Sequence, residues 1–224
     1  MFVLLLGLLL LLFILPNVWA KWALERHATP RNDYPGTGGE LARHLLTRLG
    51  IEGVEVEATE RGDHYDPQAR RVRLSHEHYA GRSLTAVTVA AHEVGHAIQH
   101  HQGYQPLLAR TRLVGVAQHA EKLGAVLMMA APLLFLLTRM PGGMFIVVGA
   151  AVISFGTAAL VHLVTLPVEF DASFQRALPL LKGYIPPYDM PAARHVLTAC
   201  AFTYVAASLA SILNLGRWLV ILRR

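Results

Sequence analysis

Leu41, Ala42, Leu45, Leu46 and Leu49 share the spacing of one helix face, and Gly50 stands where a C-terminal cap belongs. Beyond it, Val54, Val56 and Ala58 alternate with Glu55 and Glu57, which predicts a half-buried strand. Gly62-Asp63-His64-Tyr65-Asp66-Pro67 has the composition of a turn. Val72 and Leu74 then alternate with Arg71 and Arg73, predicting a second strand, either internal to a sheet or with an edge that could take up an extended peptide by backbone pairing. His76 and His78 fall at the end of that strand and are expected in solvent. Ser83 is a good N-cap for a long helix running to about His101.

Outside this region the polar residues thin out. Four apolar stretches approach the roughly 20 residues that cross a bilayer as a helix. They run from Met1 to about Ala20, from about Leu123 to Thr138, from about Met144 to Pro167, and from about Val196 to Leu213. Arg139-Met140-Pro141-Gly142-Gly143 is a tight connection between the second and third. The first lacks a basic stretch ahead of its apolar run and is followed by Lys21, Arg26 and Arg31, which favours an uncleaved anchor over a signal peptide. The pattern therefore predicts a mainly α membrane protein of about four transmembrane helices with a small α+β polar domain. Residues 1–20 form the anchor, 21–122 the polar domain, and 123–224 a three-helix membrane part.

Charge follows the same division. Charged residues make up 16% of the 224, below the roughly 25% of soluble domains, yet residues 21–112 hold twelve Lys/Arg against eleven Asp/Glu. The net charge of +5 does not point to nucleic acid, because no basic run with interleaved aromatics is present. Basic residues cluster on the polar-domain side of the apolar stretches, which predicts a multi-pass protein of the cell membrane, in contact with the lipid bilayer, with that domain in the cytoplasm. Cys200 is the single cysteine, so no intrachain disulfide forms, and its apolar neighbours read as packing.

The chemistry lies in the helix after Ser83. His92-Glu93-Val94-Gly95-His96 is an H-E-x-x-H pattern. Residues four apart share a helix face, so two imidazoles can converge on one metal ion, one Zn²⁺ per chain. Glu93, one residue on, is placed to take a proton from water held by that metal. Catalytic zinc needs a third protein ligand. His100 is a further turn along the axis, and position 102 is Gln, so the ligand is expected from elsewhere. Glu169, at the end of the third apolar stretch within 165–173, is the candidate. His162, two turns earlier, is a second polar residue within that stretch.

Five pieces in order carry a family resemblance. They are Asp63-His64-Tyr65-Asp66-Pro67, Leu74-Ser75, Ala90-Ala91-His92-Glu93-Val94-Gly95-His96-Ala97-Ile98-Gln99, Leu166-Pro167-Val168-Glu169-Phe170-Asp171-Ala172-Ser173 and Thr203-Tyr204-Val205-Ala206-Ala207. On these, from about residue 37 to 210, the chain resembles the bacterial neutral zinc metallopeptidase family of YugP-like membrane zinc peptidases. The resemblance implies a zincin-like catalytic domain, a protein or peptide substrate, His92, His96 and Glu169 as zinc ligands, and Glu93 as the catalytic residue. Tyr204, His195 and Arg194 are candidates to stabilise the oxyanion, and Asp171 to orient a ligand histidine from behind.

Two other classes compete. His96-Ala97-Ile98-Gln99-His100-His101 contains an H-x-x-x-H-H box like those of membrane di-iron desaturases, but that chemistry needs several boxes and only one is present. A zinc-stabilised membrane interaction protein without turnover has no need of a glutamate at position 93, and a structural site fills its fourth position with protein. Substrate and oligomeric state are not encoded in any of these patterns.

Overall fold

The computed structural model describes residues 15–138, 149–150, 153, 161 and 165–203. Two compact units are present. One comprises Leu15–Leu108 and Pro167–Thr203, and the other includes Ala109–Leu166.

The first unit carries the chemistry. Its elements are α1 (residues 15–26), α2 (Gly38–Arg48), β1 (Glu55–Thr59), β2 (His64–Asp66), β3 (Arg71–Ser75), α3 (His76–Ala80) and α4 (Leu84–His101). Later come α6, helical from 165, π-helical over Asp171–Ala177 and closing at Leu178–Leu181, and α7 (residues 190–203).

Local chemistry accounts for the boundaries. Thr37 and Glu40 form a reciprocal capping box at the start of α2. Ser83 caps α4 by accepting from the Ala86 N–H. The sheet order is β1-β3-β2, with β3 parallel to β1 and antiparallel to β2. Val72 and Leu74 point into the core. On the outer face Arg71 pairs with Glu55 and Glu57, and Arg73 with Glu57 and Asp66, so both neighbours answer the basic central strand with acids. β3 is thus internal, one of the two placements its sequence allowed, and the sheet's edges belong to β1 and β2.

Every residue of α4 from Leu84 to Gln99 is buried. A helix covered on all sides is a core helix, and here α2 and α6 pack against it. A Cβ on Gly95 would lie 2.7 Å from the Ala172 carbonyl oxygen, so only glycine lets the α6 backbone come this close.

The other unit contains most of α5 (Gln105–Thr138). In it Ala117 and Val161 are buried together, and the His119 ring nitrogen Nδ1 donates to the Gly115 carbonyl at 2.7 Å.

The expected fold of about four transmembrane helices is not what the structure shows. Among the described residues no helix is long and apolar enough to cross a membrane. α5 is 34 residues long, but the part before Leu123 carries Arg110, Arg112, Gln118, His119, Glu121 and Lys122. Its apolar run, from Leu123 to Thr138, falls short of the roughly 20 residues needed. The stretch expected to cross from Val196 instead opens inside α7, where Val196, Leu197, Ala199 and Ala201 are fully buried in protein. Apolar sequence there fills a core. Residues 1–14, most of the third stretch and the fourth from Tyr204 lie outside the described residues.

Candidate metal centre

α4 and α6 bring His92, His96 and Glu169 to one point. All three are buried, with Glu169 fully so. Glu169 Oε2 is 3.3 Å from His92 Nε2 and 3.3 Å from His96 Nε2. The three ligand atoms all lie within 4.8 Å of one another. Zinc bonds of about 2.0–2.2 Å at tetrahedral angles separate neighbouring ligand atoms by roughly 3.3 Å. The donor set and its spacing therefore fit a zinc ion.

The far side of each imidazole is tied down. Gln99 Nε2 donates to the Val168 carbonyl at 2.8 Å and to Asp171 Oδ2 at 2.7 Å. Both partners only accept, so the amide's orientation is settled and its Oε1 must face His96 Nδ1, 2.9 Å away. An acceptor there requires the proton on Nδ1, which leaves Nε2 with its lone pair toward Glu169. His92 Nδ1 lies 3.0 Å from Ser173 Oγ, whose hydroxyl donates to the Leu197 carbonyl at 3.4 Å. With that proton committed, Ser173 accepts from His92, and His92 Nε2 is likewise free to coordinate. Arg176 holds Asp171 in turn and reaches Gln102 Oε1 at 2.6 Å.

Glu93 is buried beside His92 on α4. Cys200 packs against the core, and burial, aided by the charges of Glu93, Asp63 and Glu169, pushes its thiol up and keeps it protonated.

Other sequence expectations fall in several places. Asp171 reaches a ligand histidine only through Gln99, a link the sequence reading did not contain. Ser173 was also missed, although both residues stand inside the quoted pieces. The signal available was position: Gln99 is three residues after His96, one turn along the same face. The His195 ring meets Trp19, Trp22 and His27 edge-on, with centroids 5.3, 6.1 and 6.3 Å away. The Arg194 guanidinium lies over the Phe174 ring. Tyr204 and His162 are outside the described residues. His78, expected in solvent, lies in α3 with Nδ1 2.8 Å from Asp63 Oδ2, while Asp63 Oδ1 accepts from the Ser75 N–H.

Sequence comparison supplies the family. The family described as "Putative neutral zinc metallopeptidase" matches residues 2–223. A relative from Bacillus subtilis (strain 168), named "Putative membrane protease YugP", is 38% identical over 217 residues, covering 92% of this chain and 91% of its own. No solved structure matches. With a histidine pair and a glutamate converging inside a chain matched from end to end, the protein belongs to the neutral zinc metallopeptidase family.

Proposed function

We propose that the protein hydrolyses peptide bonds with one zinc ion held by His92, His96 and Glu169, and with Glu93 as general base. The observation that carries this reading is Glu169 Oε2 standing 3.3 Å from both imidazole Nε2 atoms, at the separation of tetrahedral zinc ligands. Bound zinc supplies a Lewis acid for the scissile carbonyl and lowers the pKa of its water toward 7. The rest falls to the chain itself. Ser173 and Gln99 hold the two histidines in the coordinating tautomer. Glu93 removes the proton of the attacking water and returns it to the leaving amine. Burial of all four side chains keeps the surrounding dielectric low, so each charge interaction is strengthened. The name of the Bacillus subtilis relative supports action at the cell membrane, on membrane or membrane-proximal proteins.

The test compares wild type with Glu93→Gln. Both should bind about one zinc per chain, and only wild type should cleave an unfolded membrane-protein substrate, in a chelator-sensitive way. Loss of the base should slow cleavage by roughly 10²–10⁴-fold. A wild-type protein that holds no zinc sinks the proposal.

A further inference from the structure

A second group of polar side chains gathers beyond the metal centre, around a cavity of about 120 Å³ whose walls include Glu52, Tyr65, Arg70, Ala97, His100 and His101. Ala97, His100 and His101 bring the C-terminal end of α4 to this cavity.

Three features set Arg70 apart. Arg71 and Arg73, its neighbours in sequence, are each paired with two acids. Among the described residues Arg70 forms no ion pair, although Glu52 lines the same cavity. Its φ is 52°, the left-handed region that favours glycine or asparagine. It closes a turn in which Asp66 Oδ1 accepts from the Gln68 and Ala69 N–H groups. Such a turn is made at lower cost by glycine, so the arginine is there against the backbone's preference.

His100 stands beside it. Tyr65 Oη is 2.8 Å from His100 Nδ1. Burial pushes the Tyr65 phenol up to about 12, so it stays protonated and donates to that nitrogen. Burial and the Arg70 charge both lower the His100 pKa, and the ring is neutral with its remaining proton on Nε2. The cavity therefore offers a guanidinium and an imidazole N–H without an acceptor already bound to Arg70.

We propose that this cavity is an oxyanion site that takes the C-terminal carboxylate of a peptide, with Arg70 as the charge and His100 as a second donor. Only the peptide nature of the occupant rests on the peptidase reading. The same donors suit phosphate, and the experiment separates the two sources.

Full-length protein carrying Glu93→Gln, so that nothing is turned over, is titrated by calorimetry with a short peptide acid, the same peptide as its C-terminal amide, and inorganic phosphate. The titrations are repeated with Arg70→Gly and Arg70→Lys. Charge-assisted hydrogen bonds predict roughly 10-fold or tighter binding of the acid over the amide. Arg70→Gly should erase that difference while melting no lower than its parent, since glycine suits the positive φ. Arg70→Lys should keep part of it, having the charge without the fork. Equal binding of acid and amide with phosphate silent overturns the site, as does an unchanged preference in Arg70→Gly. Phosphate binding that requires Arg70, with acid and amide equal, overturns the peptide carboxylate as occupant and assigns the cavity to phosphate. Neither readout depends on cleavage, so a failed peptidase assay leaves this result legible.

Discussion

Gln99 links Asp171 to His96: its amide nitrogen donates to the carboxylate at 2.7 Å while its oxygen faces the ring nitrogen at 2.9 Å. Arg176 binds the same carboxylate from the other side. The histidine is thus oriented by a neutral group that is itself held by a charge pair. Replacing Gln99 with leucine keeps the volume and removes both ends of the link. Zinc affinity should fall roughly 10–100-fold, the usual effect of losing a group that orients a ligand. Competition with a zinc-binding dye checks this, and an unchanged affinity would show the link to be packing alone.

Zinc should also stabilise the fold. Two of the proposed ligands come from α4 and the third from α6, which meet only in the folded chain, so metal should bind the native state preferentially. At a free zinc concentration of 100 Kd the gain is about 2.7 kcal/mol. A chelator should lower the melting temperature of wild type and leave Glu169→Ala nearly unmoved. Equal shifts in the two proteins would remove Glu169 from the ligand set.

Gly95→Ala tests the closeness of α4 and α6. The added methyl would sit 2.7 Å from the Ala172 carbonyl oxygen, and that neighbour is backbone, which cannot swing away. Overpacking of this kind costs about 1–3 kcal/mol. Thermal unfolding with chelator present isolates this packing cost from any loss of metal.

Much of this was legible in the sequence, for identifiable reasons. α4 could be placed from Ser83 to His101 because the N-cap and the histidine pair are local signals. Glu169 stood out by its charge at the end of an apolar stretch, a position that a solvated carboxylate could equally occupy, and the family resemblance favoured it as a ligand. The turn around Asp63 hid β2 and α3, because strand His64–Asp66 is three residues long and the buried Asp63–His78 pair is a contact fifteen residues apart. The apolar run from Val196 was misread for a different reason. Hydropathy records that side chains avoid water, and a protein core satisfies them as well as lipid does.

The Asp63–His78 pair gives a pH signature. Burial pushes the Asp63 carboxyl up, but the His78 ring and the Ser75 amide bring it below its ordinary 3.8. Burial lowers His78, but Asp63 raises it above its ordinary 6.5. The lowered acid contributes stability that is present above pH 3.8 and lost as pH falls through its folded pKa. The raised base contributes stability that is present below pH 6.5 and lost as pH rises through its folded pKa. Asp63→Asn should therefore cost most between those two values and less on either side. Denaturant unfolding of both proteins across pH 3–9 reads this directly, and a flat difference would refute it.

α6 does more than deliver one ligand. Glu169 faces both imidazoles, Asp171 governs His96 through Gln99, and Ser173 governs His92, all within five residues of one element. A shift of that element along α4 would not loosen these contacts one by one. It would withdraw Glu169 and release both rings in the same movement, so any grip on a metal ion there would be cooperative, either whole or gone. On the proposed mechanism the off state is written into a single segment: whatever displaces α6 would disarm the site without touching the helix that carries His92, Glu93 and His96.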